Sequence, residues 1–138
     1  MNKENIVIIT GGTGGHVIPA VNFGNYLIEN GHKCFLFVDE RGKKFSKKFN
    51  GKTIKISSYH LGYSFFGKIK FIFFLPIGFF KSLFYLIKIR PTKAIAFGGY
   101  ASFIPLSVII FISIFFKINI YLHEQNSVMG KVNLIFAR

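Results

Sequence analysis

The stretch that most limits how this chain can fold is Ile9 to Ala20, ITGGTGGHVIPA, where four glycines fall within five positions. Glycine loses more backbone freedom on folding than any other residue, so a cluster this dense has to be offset by what the bare backbone can approach. It follows a β-branched run, Asn5 to Thr10, that reads as a buried parallel strand. It opens a run in which Val17, Ala20, Val21, Phe23, Leu27 and Ile28 recur at helical spacing. Strand, glycine turn and helix in that order put Gly11 to Gly15 at the carboxyl edge of a parallel sheet. There the unpaired amides and the positive end of the helix dipole attract a phosphate or diphosphate. Two other glycine motifs are excluded. A dinucleotide fingerprint counted from Gly12 would need glycine where Val17 stands, and a P-loop needs Gly-Lys-Ser/Thr where this chain has Gly15-His16-Val17. A turn that binds nothing would need fewer glycines.

Strand and helix signals then alternate. Asn30-Gly31-His32 supplies the glycine that ends the first helix, KCFLFVDE and KTIKI read as strands two and three, and the lysine-rich stretch Arg41 to Asn50 between them is weakly helical. Lys93 to Gly99 reads as a fourth strand, Ser102 to Phe116 as a buried crossover helix with Pro105 in its first turn, and Ile118 to Asn126 as a fifth strand running into a polar loop. The pattern predicts an α/β fold, a Rossmann-like parallel sheet with helices on both faces, in one domain spanning residues 1–138. Cys34 stands alone, which excludes an internal disulfide and fits a reducing compartment.

Between strands three and four, Ser64 to Pro91 is apolar on nearly every side. Lys70, Lys81 and Lys88 are spaced to fall within about 20° of one another on a helix, provided Pro76 does not break the register. A membrane span needs roughly 20 apolar residues, and the lysines and proline leave no such run. A purely internal helix leaves many aromatics without enough sheet to cover them. The preferred reading is an interfacial surface that dips phenylalanines among lipid headgroups while lysines hold anionic lipid. The net charge of +13 fits a polyanionic partner. Only Arg41, Arg90 and Arg138 among the 18 cations are arginine, so nucleic acid ranks below membrane and phosphate and is not expected as a partner.

Three loops carry candidate chemistry. His16 adjoins the glycines at the helix start, where an imidazole can accept a proton; read from the residues alone, a cap or packing role fits it equally. Phe97 to Ser102, FGGYAS, again joins strand to helix, with Ser102 a candidate cap. His123 to Asn126, HEQN, ends the fifth strand with four polar side chains, which do not make a metal-ligand set.

Together GGTGGHVIPA, FGGYAS and HEQNSVMGKVN resemble the amino-terminal half of the MurG family of peptidoglycan N-acetylglucosaminyltransferases, in order and separation and over the whole chain. The resemblance implies the amino-terminal domain of a GT-B fold, with the site in a cleft between two Rossmann-like domains. It implies inverting transfer of GlcNAc from UDP-GlcNAc to undecaprenyl-pyrophosphoryl-MurNAc-pentapeptide (lipid I) in cell-wall synthesis, with no cofactor and no required metal. Thr13, Gly14 and Gly15 would then contact substrate phosphate or the donor sugar region, and Gly98, Gly99 and Tyr100 the acceptor diphosphate. Asn126 would reach the donor GlcNAc, with Gln125 and Glu124 shaping the same wall. His16 becomes the favoured base, with Glu124 as the rival. Lys70, Phe79, Phe80, Lys81, Phe84 and Lys88 would face an anionic membrane, at the cytoplasmic face of the inner membrane. Members are more than twice this length, so the chain is expected to be a fragment, a truncated frame or one half of a split enzyme. Alone it is expected to be inactive, or to recruit a separate donor-domain protein.

Overall fold

The computed structural model describes residues 3–57 and 65–137, with the side chains of 65–74 outside the description. Among the described residues five strands and five helices alternate: β1 (Asn5–Ile9), α1 (Gly14–Glu29), β2 (Lys33–Val38), α2 (Glu40–Lys43), β3 (Lys52–Lys55), α3 (Phe65–Ile89), β4 (Lys93–Ala96), α4 (Phe103–Ser113), β5 (Asn119–Leu122) and α5 (Lys131–Phe136). All neighbouring strands are parallel, in the order β3-β2-β1-β4-β5. The alternation read from the sequence thus becomes a doubly wound sheet with β1 at its centre.

Period-two alternation along β1 feeds two cores. Ile6 and Ile8 join Leu36, Val38 and the α1 residues Val17, Ala20 and Val21 on one face. Val7 and Ile9 join Phe37, Ala94 and Ala96 on the other, beneath Leu86 and Ile89 of α3 and Leu106, Val108, Ile109 and Ile112 of α4. Helix α1 ends where expected: Gly31 takes φ +87°, and His32 N donates to Leu27 O at 3.1 Å.

Pro76 does not break α3, so the condition on the lysine register is met: the 25-residue helix runs through it with the proline exposed. Three expectations need correction. The lysine-rich stretch after β2 forms only the four residues of α2 and then turns. Helix α4 is buried along most of its length, as expected of a crossover, but ends at Ser113 rather than Phe116, and Ile110 and Phe111 near its end are exposed, as are Ile114 and Phe115 beyond it. Ser102 does not cap α4; it sits in a 3₁₀ turn (Tyr100–Ser102), and its Oγ donates back to Gly98 O at 2.6 Å.

The apolar segment also sorts differently from the membrane-facing set expected of it. Ile77, Phe80, Phe84 and Ile87 recur at helical spacing as one exposed stripe on α3, each at least half exposed, with Lys81 and Lys88 beside them one turn away. Phe79 does not belong to it. Its ring turns inward against the core and stands 6.4 Å from Phe111 of α4, because position 79 falls on the helix face that meets α4. Lys70 lies within α3, with its side chain outside the described residues. Among the described residues no helix is long and apolar enough to cross a membrane.

Leu86 is fully buried between α3 and the sheet. Leu86→Ala is expected to lower unfolding stability by about 3 kcal/mol, read as a reduced urea midpoint at unchanged slope.

Candidate functional site

Because β1, β4 and β5 are adjacent and parallel, the loops that follow them emerge side by side at the carboxyl edge. The first two are in contact. A Cβ on Gly11 would lie 2.3 Å from Ala101 Cβ and 2.8 Å from Asp39 Oδ1. One on Gly99, whose φ is +84°, would lie 3.0 Å from Gly11 O. Neither turn could approach the other if those positions carried side chains. The glycines therefore serve the approach of backbone to backbone as well as any approach to a ligand.

The turn after β1 presents its amides in two ways. Gly12 N is bonded inward, donating to Asp39 Oδ1 at 2.8 Å. The amides of Thr13, Gly14 and Gly15 have no acceptor among the described residues, as the first turn of a helix requires. His16 follows, half-buried, with Nδ1 at 3.5 Å from Thr13 Oγ1.

Two pockets flank the start of α1. One of about 320 Å³ is lined by His16, Gly98, Gly99, Tyr100, Glu124 and Asn126, and is closed by the start of α5. The structure thus brings together one residue from the first loop, three from the second and two from the third. A second pocket of about 330 Å³, on the other side, holds Gly12 and Thr13 beside Arg41 and Lys44. Gln125 lines neither; its Oε1 is buried without a hydrogen-bond partner.

Glu124 is the most heavily bonded group at this edge. Its Oε1 accepts from Gln125 N at 3.1 Å, Asn126 N at 3.1 Å and Asn126 Nδ2 at 2.9 Å. Its Oε2 accepts from Gly130 N at 2.8 Å and Asn133 Nδ2 at 3.1 Å. The Gly130 and Asn126 amides, above all, lower its pKa to about 2. Five donors and so acidic a carboxyl make a poor proton acceptor near neutral pH, so the geometry disfavours Glu124 as base. The group instead folds its own loop and ties it to α5.

Two residues here went unread in the sequence. Asp39 looked like the end of a strand; it caps α2 by accepting from Gly42 N at 2.9 Å, a role that acid followed by Glu40-Arg41-Gly42 could have signalled. Asn133 gave no local signal, because its partners, His123 O at 3.0 Å and Glu124, lie ten and nine residues away.

Residues 6–138 match the glycosyltransferase family 28 N-terminal domain. A protein of Rickettsia typhi is 41% identical over 138 residues, covering 98% of this chain and 33% of its own length. One of Wolbachia pipientis is 41% identical over 139 residues, covering 96% of this chain and 35% of its own. Both bear the name UDP-N-acetylglucosamine–N-acetylmuramyl-(pentapeptide) pyrophosphoryl-undecaprenol N-acetylglucosamine transferase. The chain spans about a third of the length of these relatives. The crystal structure of Acinetobacter baumannii MurG superposes with a TM-score of 0.80 at 20% identity, over 98% of this chain and 39% of that one. A kitacinnamycin glycosyltransferase superposes at 0.68 with 11% identity, over 99% of this chain and 34% of that one. These two likenesses establish the fold, that of a GT-B amino-terminal domain.

Glu124 titrates lower in the folded chain than in the unfolded one, so its contribution is fully present above about pH 4.5 and is lost as pH falls towards about 2. Protection of the Asn126 and Gly130 amides against exchange, relative to their intrinsic rates, is expected to fall across that window. At neutral pH, Glu124→Gln is expected to speed the same two amides at least tenfold, because a charge-assisted acceptor is lost.

Proposed function

Since this chain belongs to the glycosyltransferase family 28 N-terminal domain family, we propose that it forms the acceptor side of a membrane-associated N-acetylglucosaminyltransferase. The reaction is inverting transfer of GlcNAc from UDP-GlcNAc to undecaprenyl-pyrophosphoryl-MurNAc-pentapeptide, a step of peptidoglycan synthesis. The observation that carries this reading is the convergence of three loops on one pocket with His16 in its wall.

The chemistry asks for one base. The acceptor hydroxyl oxygen attacks the anomeric carbon of GlcNAc, the bond from that carbon to the diphosphate oxygen breaks, and the electron pair leaves with UDP. The hydroxyl proton passes to His16, which is half-buried at the pocket while Glu124 is committed to five donors. The outward amides of Thr13, Gly14 and Gly15, with the Gly98–Gly99 turn, face the acceptor diphosphate. Asn126 lines the pocket and contacts the transferred sugar, and Gln125 supports that wall from behind. The UDP moiety is held by a second domain.

The apolar stripe supports peripheral attachment at the cytoplasmic face of the inner membrane. Phe80 and Phe84 are each more than 60% exposed, Lys81 and Lys88 stand beside them, and the chain carries +13. Burying phenylalanine in the headgroup region is favourable by up to about 2 kcal/mol per ring, and each neighbouring lysine adds about 1 kcal/mol on an anionic surface.

Joining this chain to the complementary part of the Rickettsia typhi relative and supplying both substrates is expected to yield the lipid-linked disaccharide. His16→Ala in that chimaera is expected to lower turnover by about 10²–10⁴-fold without changing its circular dichroism. A folded chimaera that makes no product overturns the catalytic reading; retained vesicle binding would then favour the recruiting role. In the 138-residue chain, Phe80→Ser with Phe84→Ser is expected to weaken binding to phosphatidylglycerol vesicles more than tenfold, and unchanged binding would move the membrane surface elsewhere.

A further inference from the structure

The glycine turn after β1 does not hold its shape alone. Asp39, at the end of β2, is 3% exposed. One of its oxygens serves two loops at once, accepting from Gly12 N at 2.8 Å and Gly42 N at 2.9 Å. The other lies 3.4 Å from Arg41 Nε. An ordinary helix cap would account for the Gly42 bond and leave the other two unexplained. Nor is this the carboxylate that reads a ribose hydroxyl in dinucleotide-binding sheets, although it stands at the corresponding strand end. Both amide bonds lie within the protein, and the side chain is enclosed.

The Gly12 N–H is drawn inward at φ +84°, while the next three amides, left free by the first turn of α1, have no acceptor among the described residues. Arg41 completes the arrangement. With Nε against Asp39, its Nη2 stands 3.6 Å from where a Gly12 Cβ would be, so the guanidinium lies along the open side of the turn. Its side chain is 56% exposed, and its Nη groups have no acceptor among the described residues. The acid lining that pocket, Glu40, is paired with Lys55 and does not compete for the guanidinium. Lys44 stands 4.9 Å over the Phe45 ring on the far wall.

We propose that Asp39 is a positioning residue, and that Arg41, aimed by it across the glycine turn, pairs with an oxygen of the acceptor's diphosphate. The assignment rests on the diphosphate reading of this turn. Guanidinium is suited to the task because its remaining donors form a planar fork that matches two phosphate oxygens.

The test is calorimetric titration of the 138-residue chain with inorganic pyrophosphate at low salt, with melting followed by circular dichroism. Arg41→Gln is expected to weaken binding about tenfold with unchanged melting. Lys117→Gln, at the opposite edge of the sheet, removes the same charge and is expected to change affinity less than twofold. Asp39→Asn is expected to weaken binding at least tenfold at a temperature where it is fully folded, and combining it with Arg41→Gln should cost little more than the worse single change. Additive losses, or an Arg41→Gln indistinguishable from Lys117→Gln, would overturn the assignment. Should Asp39→Asn not fold, the comparison of Arg41→Gln with Lys117→Gln decides. Failure of the unaltered chain to bind pyrophosphate would overturn the diphosphate reading and this assignment together, whereas wild-type binding with silent variants would overturn only the latter.

Discussion

The contact between two turns, Gly11 against Ala101 and Gly99 against the Gly11 carbonyl, is the constraint on which the rest of the carboxyl edge depends. Parallel pairing of β1 with β4 brings the two loops to the same place, and only the absence of side chains lets them close up. Once closed, they set the start of α1 and the Gly98–Gly99 turn side by side, and His16 has a wall to face. A methyl group at either position would push the loops apart before it touched any ligand. The glycine density therefore has a packing cause and a binding consequence, and the two cannot be separated by substitution at these positions.

Acidic groups are scarce, and nearly all are engaged in holding the structure. Of the five in the chain, Asp39 joins the turns after β1 and β2, and Glu124 folds the loop after β5 onto α5. Glu4 pairs with Lys93 at 2.7 Å across β1 and β4, and Glu40 with Lys55. The Glu4–Lys93 contact lowers the carboxyl's pKa and raises the ammonium's, each through the other. Five acids cannot pair with 18 cations, so most of the positive charge has no carboxylate partner. A surface of that kind steers anions towards it, whether diphosphate or lipid headgroup.

How far the chain could be read before folding depended on whether the cause was local. Strand and helix alternation, the Gly31 stop and the clustering of three loops all follow from spacing within one segment or from the order of segments. Sequence alone leaves open whether Pro76 breaks the helix, and the helix accommodates it because its ring sits on the exposed side while the other face is packed. Phe79 and Phe80 are neighbours of identical chemistry, and only the position of α4 sends one inward and the other out. Ser102 and Glu124 were both read by residue type, as a cap and as a candidate base. Their actual work, bonding Gly98 O and five donors respectively, is decided by where the chain returns. Asp39 and Asn133 illustrate the same limit, since each joins loops that meet only in the folded sheet.

The central claim is that the outward amides beside His16 receive the diphosphate of a lipid-linked acceptor. The most direct measurement is a ¹⁵N–¹H spectrum of the isotopically labelled chain, titrated with a short-chain isoprenyl diphosphate. The account predicts saturable shifts at Thr13, Gly14, Gly15, Gly98 and Gly99, appearing together and with one dissociation constant. Shifts spread over the lysines of residues 43–48 and over α3, with those five amides unmoved, would contradict it.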